Sequence, residues 1–167
     1  MSQSNNLVIR EIHKSEICLL EDYLYEAIFV PEGMPKPPKS ITKQKELQVY
    51  VEDFGTRPDD TGLVACIGNE VVGACWTRIM NDYGHIADDV PSLAIAVREH
   101  FRGQNIGTQL IAEIKNLLRK KGYKKVSLSV QKLNRAVSLY KRTGFETISQ
   151  TDEEYLMVCD LKKTETC

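Results

Sequence analysis

The chain has 167 residues, of which 22 are basic and 23 acidic, so its net charge is −1 at neutral pH. This balance excludes the broadly basic surface that drives non-specific nucleic-acid binding, and we expect no nucleic-acid partner. Hydrophobic residues make up 42% and charged residues 27% of the chain. These values are typical of a globular protein, and the length favours one domain over residues 1–167.

The cysteines argue against a disulfide framework and against a metal site, because they are odd in number and form no closely spaced Cys/His cluster. They are Cys18, Cys66, Cys75, Cys159 and Cys167. We therefore expect reduced thiols in a cytoplasmic protein, with no bound metal. The N-terminus has no apolar core followed by a cleavage site, and no apolar run reaches the ~18 residues of a membrane span. We expect neither a signal peptide nor a membrane partner.

The first sixty residues predict a strand and two helices around a proline-rich loop. Hydrophobic alternation predicts a strand over Leu7–Ile12, and helical spacing predicts a helix from Ser15, as its N-cap, to Ile28. Four prolines between positions 31 and 38 end this helix and predict either an ordered irregular loop or a mobile lid. Apolar residues over Leu47–Phe54 predict a second helix that ends near Gly55.

From Thr61 onward the pattern predicts mostly strands, with two further helices. The predicted elements are strands over Leu63–Ile67 and Val71–Met80 joined by a short hairpin, a loop over Asn81–Pro91, a strand over Ser92–Val97, a helix from Ile106 to a stop at Gly122, a strand over Val126–Val130, a short helix over Asn134–Thr143, and strands over Phe145–Gln150 and Glu154–Leu161. The order β-α-α-β-β-β-α-β-α-β-β is that of one mixed α/β domain.

The turn that follows the strand at Ser92–Val97 carries the first chemical signal. A tight turn into a helix N-terminus aims free N–H groups at one point, and the helix dipole makes that point suited to phosphate. Arg98, His100 and Arg102 would add donors beside it. An ordinary connection between a strand and a helix has the same pattern, so the turn alone leaves both interpretations open. Neither GxxxxGK[ST] nor GxGxxG occurs.

Two motifs resemble those of the GCN5-related N-acetyltransferase (GNAT) superfamily. The family's acetyl-CoA signature, [RQ]-x-x-G-x-[GA], is similar to the segment Arg102-Gly103-Gln104-Asn105-Ile106-Gly107, which also lies between a strand and a helix. The family's second landmark, N-x-x-A-x-x-x-Y followed by G-F, is similar to residues 134–140 followed by Gly144-Phe145, one residue tighter at the alanine. The motifs have the family's order, and the element order matches over nearly the whole chain.

The resemblance implies an α/β (α+β mixed sheet) fold, with a central, mostly antiparallel sheet of about seven strands flanked by about four helices. It also implies an N-acetyltransferase that uses acetyl-CoA as co-substrate and acts on a primary amine. The pantetheine arm would pair with the fourth strand, and the turn would hold the pyrophosphate. The implied cofactor-binding residues are Ile95, Ala96, Val97, Arg102, Gly103, Gln104, Asn105, Ile106, Gly107, Thr108 and Asn134. The small residues of that strand are equally expected where a strand packs under a helix.

Asn105 departs from the family motif, because the family has a glycine at that position. Asparagine is the residue next best able to adopt a left-handed backbone, so we expect the turn to survive with retained but weaker cofactor binding. Asn134 either donates to the pantetheine amides or caps its helix, and both roles can hold together.

Tyr140 resembles the family's general acid. In the implied mechanism the amine attacks the thioester directly, and the Tyr140 hydroxyl protonates the departing thiolate. An ordinary tyrosine pKa of about 10 keeps this proton available at neutral pH. The alternative is a core aromatic residue beside Ala136 and Val137.

The sequence leaves the general base and the amine acceptor open. The candidate bases are Asp82, His85, Asp88, Asp89, Glu26 and Glu32, each of which is otherwise a solvated surface group. The acceptor pocket is expected from residues 16–55 and 148–155, whose carboxylates Glu26, Glu32, Asp152, Glu153 and Glu154 suit a cationic amine. Cys75 and Trp76 either face this pocket or pack in the core. The acceptor is expected to be a small-molecule or peptide amine, and a homodimer is left open. The alternative function is a non-catalytic CoA-binding regulatory module.

Overall fold

A computed structural model describes residues 6–162, and within them the chain forms seven strands and four α-helices. The strands are β1 (Leu7–Glu11), β2 (Thr61–Ile67), β3 (Glu70–Arg78), β4 (Ser92–Val97), β5 (Lys125–Gln131), β6 (Phe145–Gln150) and β7 (Glu154–Asp160). The helices are α1 (Leu19–Ala27), α2 (Lys45–Gln48), α3 (Ile106–Lys120) and α4 (Ala136–Arg142). Short 3₁₀ turns occupy Lys14–Glu16, Lys39–Lys43 and Glu99–Phe101.

All seven strands belong to one sheet in the order β1-β2-β3-β4-β5-β7-β6. Neighbouring strands are antiparallel except β4 and β5, which run parallel. This parallel pair is in register only at Ser92 opposite Ser127, so the two strands separate beyond that point. The mixed, mostly antiparallel sheet confirms the predicted fold class.

Helices cover both faces of the sheet and give the molecule two apolar layers. On one face α3 buries the residues Leu110, Ile111, Ile114 and Leu118 completely. These are the positions that the 3.6-residue apolar period predicts, because they form one stripe along the helix. On the other face α1 buries Leu20, which is 1% exposed, against the sheet.

The segment predicted as a second helix is mostly irregular, which corrects that prediction. Only Lys45–Gln48 is helical, and residues 49–54 form successive turns. The physical reason lies in β3, whose side chains take carbonyls that a continuing helix would use. Trp76 Nε1 donates to the Tyr50 carbonyl at 3.0 Å, and Arg78 Nη1 donates to the carbonyls of residues 49 and 52 at 3.1 and 2.7 Å.

The start of the first helix also differs from the prediction. Ser15 lies inside a 3₁₀ turn instead of capping the helix, and α1 begins only at Leu19. The turn is held by Glu16, whose carboxylate accepts the His13 N–H at 2.8 Å and two hydrogen bonds from Arg10, both at 2.8 Å. Arg10 lies on β1, so this pair ties the edge of the sheet to the helical layer.

Cys18, Cys66 and Cys75 are free thiols, and Cys167 lies outside the described residues. Cys75 and Trp76 are completely buried, which fits the core-packing alternative. Burial raises the pKa of the Cys75 thiol, so it is protonated at neutral pH. None of the helices within residues 6–162 has the length and apolar character needed to cross a bilayer.

Candidate active site

A cavity of about 1240 Å³ lies where β4 separates from β5. Its lining includes the chain that follows α1, with Phe29 and Pro31, and residues of α4. The proline-rich segment is irregular, as predicted, and the Tyr25 hydroxyl donates to the Pro37 carbonyl at 2.7 Å. Of the four prolines, Pro31 and Pro37 line the cavity.

The free edge of β4 forms the floor of this cavity. Ile95, Ala96 and Val97 all line it, and β4 is paired with β3 along its other edge. Within residues 6–162 no strand pairs with β4 beyond Ser92 on the cavity side. Since an unpaired strand edge presents N–H and C=O groups in a row, β4 can hydrogen-bond an extended, amide-containing ligand.

The turn from Arg102 to Thr108 closes one end of the cavity. Gly103 and Asn105 adopt left-handed conformations, with φ of +75° and +67°, and α3 starts directly after Asn105. As expected, asparagine sustains the left-handed backbone. Within the described chain the N–H groups of residues 103–105 have no acceptor, and those of residues 106–108 precede the first intrahelical bond. Six backbone N–H groups of this turn thus have no acceptor, while the Arg102 N–H donates to the Glu99 carbonyl. Five of the six residues line the cavity; Gln104 does not, and its side chain donates to the His100 carbonyl at 3.4 Å.

Of the three basic residues expected beside this turn, only one lines the cavity. Arg102 lines the cavity, where Nε donates to the Val97 carbonyl at 2.9 Å and Nη2 lies 3.5 Å from Glu26 Oε2. Arg98 instead turns away to α1, where it stacks on the Tyr23 ring at 5.2 Å and donates to the Tyr23 hydroxyl at 3.2 Å. His100 is exposed and is not among the lining residues. Only Arg102 of the three is available to the cavity.

Asn134, just before α4, and Gly107, at the start of α3, both line the cavity. Asn134 Oδ1 accepts the Ala136 N–H at 2.9 Å, which is the capping role predicted for it, and the NH₂ donors of its amide are left for a ligand. A Cβ on Gly107 would lie 3.2 Å from Leu139 Cδ2, so α3 and α4 approach closely at this point. The glycine therefore serves helix packing as well as the turn.

Tyr140 lies on α4 at the wall of the cavity and is 8% exposed. Its ring packs edge-to-face on Phe145, with 5.8 Å between ring centroids. Within residues 6–162 its hydroxyl makes no hydrogen bond, so this O–H is uncommitted at the cavity surface. Burial, and to a lesser extent the nearby Cys75, raises the pKa of the hydroxyl above its ordinary value near 10. The proton is thus retained throughout the neutral range.

Two of the six candidate bases lie at the cavity. Glu26 and Glu32 line it, whereas Asp82, His85, Asp88 and Asp89 do not. Asp82 is engaged elsewhere: its carboxylate accepts hydrogen bonds from the Tyr50 hydroxyl at 2.6 Å and from Ser92 Oγ at 2.8 Å. The carboxylates Asp152, Glu153 and Glu154 expected at an acceptor pocket are also outside the lining.

Several lining residues were not among the sequence-based candidates. They are Lys36, Leu133, Arg135 and Arg142. Arg135 and Arg142 lie seven residues apart at the two ends of α4, which places them on the same side of the helix. That spacing is the sequence signal that could have identified them. Nothing in the sequence pattern marks Leu133, which is 78% exposed.

The arrangement of these groups suits one class of ligand, which carries both phosphates and amides. Six backbone donors and arginine side chains suit a phosphate-bearing ligand, and the free β4 edge suits an amide-bearing arm that extends from it. The buried Tyr140 hydroxyl adds an uncommitted donor to the same cavity. No group of three or more His, Cys, Asp or Glu residues in positions 6–162 could hold a metal ion.

The chain belongs to the acetyltransferase (GNAT) family, whose model matches residues 24–145. Membership supports acetyl-CoA-dependent acetyl transfer as its general chemistry. No curated protein sequence matches the chain significantly.

Solved structures share the fold at low sequence identity. The PaiA N-acetyltransferase from Thermoplasma acidophilum, in complex with coenzyme A, has a TM-score of 0.70 and 19% identity over 93% of this chain and 99% of that chain. A ribosomal-protein alanine N-acetyltransferase from Escherichia coli has a TM-score of 0.64 and 17% identity over 93% and 94%. A chimeric spermidine N-acetyltransferase from Vibrio cholerae has a TM-score of 0.63 and 15% identity over 93% and 96%.

Proposed function

We propose that the chain is an acetyl-CoA-dependent N-acetyltransferase that transfers an acetyl group to a primary amine, with Tyr140 as general acid. The observation that carries this proposal is the Tyr140 hydroxyl, which is buried, protonated and without a hydrogen-bond partner in the described residues. It lies at a cavity that is also lined by five turn residues whose backbone N–H groups have no acceptor. A buried phenol that only packed in the core would normally find a partner for its O–H. An uncommitted donor instead suits a ligand that accepts its proton.

The cofactor would occupy the cavity with its pyrophosphate at the turn. The N–H groups of residues 103–108 would bind the phosphate oxygens, and the side chains of Arg102 and Asn134 would add donors. The pantetheine amides would pair with the free edge of β4 at Ile95–Val97. Such pairing satisfies the strand edge and orients the thioester toward α4.

The reaction would then proceed by direct attack. The neutral amine nitrogen forms a bond to the acetyl carbonyl carbon, and the carbon–sulfur bond breaks as the thiolate leaves. Tyr140 donates its proton to the sulfur, and the proton released by the acylated nitrogen passes to solvent or to a cavity carboxylate. The products are the acetamide and the free thiol of CoA.

The cavity carboxylates support a cationic amine as the acceptor. Glu26 and Glu32 come from α1 and from the segment that follows it, and both line the cavity, where Glu26 also lies 3.5 Å from Arg102. A carboxylate near the acetyl group attracts an ammonium and can accept its proton before the attack. The solved structures named above include one that acts on spermidine and one that acts on a protein alanine, so both small-molecule and peptide amines belong in the test.

A free-thiol release assay with acetyl-CoA over a panel of amines tests the proposal. The panel contains polyamines, amino acids, aminoglycosides, lysine peptides and peptides with free N-termini. With the best acceptor, Tyr140→Phe should lower kcat about 100-fold, because the departing thiolate loses its proton donor, while KM for acetyl-CoA stays within a factor of two. If Tyr140→Phe has the wild-type kcat at every pH, Tyr140 is not the general acid. An acidic amino acid as the best acceptor would refute the cationic-amine assignment.

A second candidate is a CoA-binding module without catalysis. The observation that favours it is the position of the candidate bases, since four of the six lie away from the cavity. This function predicts that acetyl-CoA raises the melting temperature while no amine releases thiol. Thiol release from any acceptor excludes it. For either function we propose that residues 1–167 act as one domain, because all seven strands belong to one sheet.

A further inference from the structure

Lys115 places a buried ammonium group at the C-terminal end of the helix that carries Tyr140. Lys115 lies on α3 and is 3% exposed, and its Nζ donates to the Thr143 carbonyl at 2.7 Å. Thr143 is the residue that ends α4. The carbonyls at a helix C-terminus lack intrahelical partners and carry partial negative charge, so they stabilise a cation. A buried ammonium is costly without polar partners, and the Thr143 carbonyl is one such partner.

Thr143 connects this ammonium to Tyr140. The Thr143 Oγ1 donates back to the carbonyl of Leu139 at 2.9 Å and to that of Tyr140 at 3.1 Å. The Thr143 backbone N–H reaches the same two carbonyls at 3.1 and 3.2 Å. Thr143 is itself 8% exposed. The last turn of α4 is therefore tied to Thr143, whose carbonyl accepts a hydrogen bond from Lys115.

Helix α3 contacts α4 at a second point on the other side of Tyr140. Gly107, in the first turn of α3, lies so close to Leu139 that a Cβ would come within 3.2 Å of its side chain. Gly107 also belongs to the turn that offers its N–H groups to an anion. One helix thus carries the candidate phosphate turn at its start and holds the Tyr140 helix at two points along its length.

We propose that Lys115 is a positioning residue that fixes the Tyr140 hydroxyl relative to the cofactor turn by anchoring the end of α4 through Thr143. The inference rests on the proposed role of Tyr140 as acid. A shift of about 1 Å in a catalytic group can lower a rate by up to about 100-fold, so a fixed acid is worth the cost of a buried charge. Lys115 itself need not touch the substrate.

The test is a double-mutant cycle on the full chain with acetyl-CoA and the best amine. Lys115→Met removes the ammonium but keeps the length of the side chain, and we expect kcat to fall about tenfold with KM for acetyl-CoA within a factor of two. In a Tyr140→Phe background the same substitution should have no further effect on kcat, since the group that it positions is gone. Lys120→Met, at an exposed position of the same helix, is the matched control and should retain the wild-type kcat.

The outcomes separate the inference from the function on which it depends. If Tyr140→Phe is fully active, the proposed acid role is wrong. If Tyr140→Phe is impaired but Lys115→Met lowers kcat equally in both backgrounds, the positioning role is wrong and the acid role stands. A variant that has a lower melting temperature but a wild-type kcat would assign Lys115 to stability alone, which also overturns the inference.

A spectroscopic readout keeps the test decisive if Lys115→Met folds poorly. Thr143→Val removes the hydroxyl link, whereas Thr143→Ser keeps it. In protein with ¹³Cζ-labelled tyrosine, the Tyr140 signal, assigned by its loss in Tyr140→Phe, should shift in Thr143→Val and recover in Thr143→Ser. The same signal should shift in Lys115→Met and stay in place in Lys120→Met. An unchanged Tyr140 signal in Lys115→Met would overturn the inference without recourse to activity.

Discussion

At the scale of single residues, the backbone conformation of Asn105 decides whether the phosphate turn can form. Its φ of +67° places it in the left-handed region, directly before the first residue of α3. Asparagine tolerates this region better than other residues with a side chain, and a β-branched residue tolerates it least. The turn therefore depends on the choice of residue here more than on hydrophobicity or charge.

Two substitutions of Asn105 should have different effects on the affinity for acetyl-CoA. Asn105→Val should weaken acetyl-CoA binding about tenfold, because left-handed backbone costs a residue with a Cβ roughly 1–2 kcal/mol, and valine lacks the tolerance of asparagine. Asn105→Gly should bind at least as tightly as the natural chain. Isothermal titration calorimetry measures both Kd values. Equal affinity of the valine variant and the natural chain would mean that the turn does not hold the cofactor.

The pH dependence of kcat should carry no alkaline limb from Tyr140. Burial raises the pKa of its hydroxyl above its ordinary value near 10, so the acid form is complete below that pH and is lost only above it. Between pH 6 and about 9 the rate should therefore rise or stay level as the amine loses its proton. Rates measured over this range check it. A fall in kcat with a midpoint below pH 9 that disappears in Tyr140→Phe would contradict the raised pKa.

At the scale of elements, a buried ion pair organises the irregular chain between α2 and β2. The side chains of Arg78, on β3, and Asp60 are 0% and 1% exposed. Arg78 Nε and Nη2 donate to the two oxygens of the Asp60 carboxylate at 2.8 and 3.0 Å. The same guanidinium stacks on Phe54 with 5.3 Å to the ring centroid. Burial opposes ionisation of Asp60, but its hydrogen bonds with Arg78 and two backbone N–H groups outweigh it and lower its pKa. The hydrogen bonds of Arg78 therefore hold this segment against β3, although the segment is neither helix nor strand.

Asp60→Asn should therefore be among the most destabilising polar substitutions in the chain. It leaves the Arg78 guanidinium buried without a counter-charge, and loss of one partner from a buried pair costs about 3–5 kcal/mol. Urea denaturation measures the free energy of unfolding. Asp53→Asn, at an exposed site in the same segment, is the control and should change stability by less than about 0.5 kcal/mol. Similar small effects from both variants would show that Asp60 is dispensable.

At the scale of the whole molecule, the sheet both builds the core and creates the site. Seven strands form one sheet, and the edge of β4 that is not paired with β5 beyond Ser92 lines the cavity with Ile95, Ala96 and Val97. The two helical layers pack on opposite faces, so each wall of the cavity is supported by a separate apolar layer. A ligand in the cavity contacts both layers and should stabilise the molecule as a unit.

Acid stability is a property of the whole chain that the lowered carboxylate pKa values predict. Glu16 has its pKa lowered to about 2 by its hydrogen bonds with Arg10, which outweigh the opposing effect of burial. A carboxylate with a lowered folded-state pKa stabilises the fold above its unfolded pKa of about 4.3 and loses that contribution as the pH falls to the folded value. The free energy of unfolding should therefore fall between about pH 4.5 and 2.

Glu16→Gln should lower stability at neutral pH and flatten part of this dependence, because glutamine does not titrate. Urea denaturation at pH 2, 3, 4, 5 and 7 compares the two chains. The matched control is Glu46→Gln, at an exposed position in the first turn of the short helix α2. The explanation fails if natural and Glu16→Gln chains have parallel profiles, since Glu16 would then contribute nothing to the pH dependence.

Local pattern alone determined a large part of this protein. The apolar stripe from Leu110 to Leu118 specified α3, and the alternation in β5 specified a strand, because period and burial follow directly from residue order. The segment from Arg102 to Gly107 and the tyrosine six residues after Asn134 pointed to the family through residue identity and spacing. The left-handed turn could also be anticipated, since it depends on one residue type.

Only the tertiary structure decided which side chains share the cavity. Arg98 carries the same charge as Arg102 four residues later, yet it stacks on Tyr23 while Arg102 faces the cavity. The helix expected to Phe54 ended early because Trp76 and Arg78, distant in sequence, bind its carbonyls. Such outcomes depend on which groups meet across the sheet and compete for the same partners. Spacing along the chain specifies local conformation, whereas these long-range hydrogen bonds and ion pairs exist only once the strands are in register.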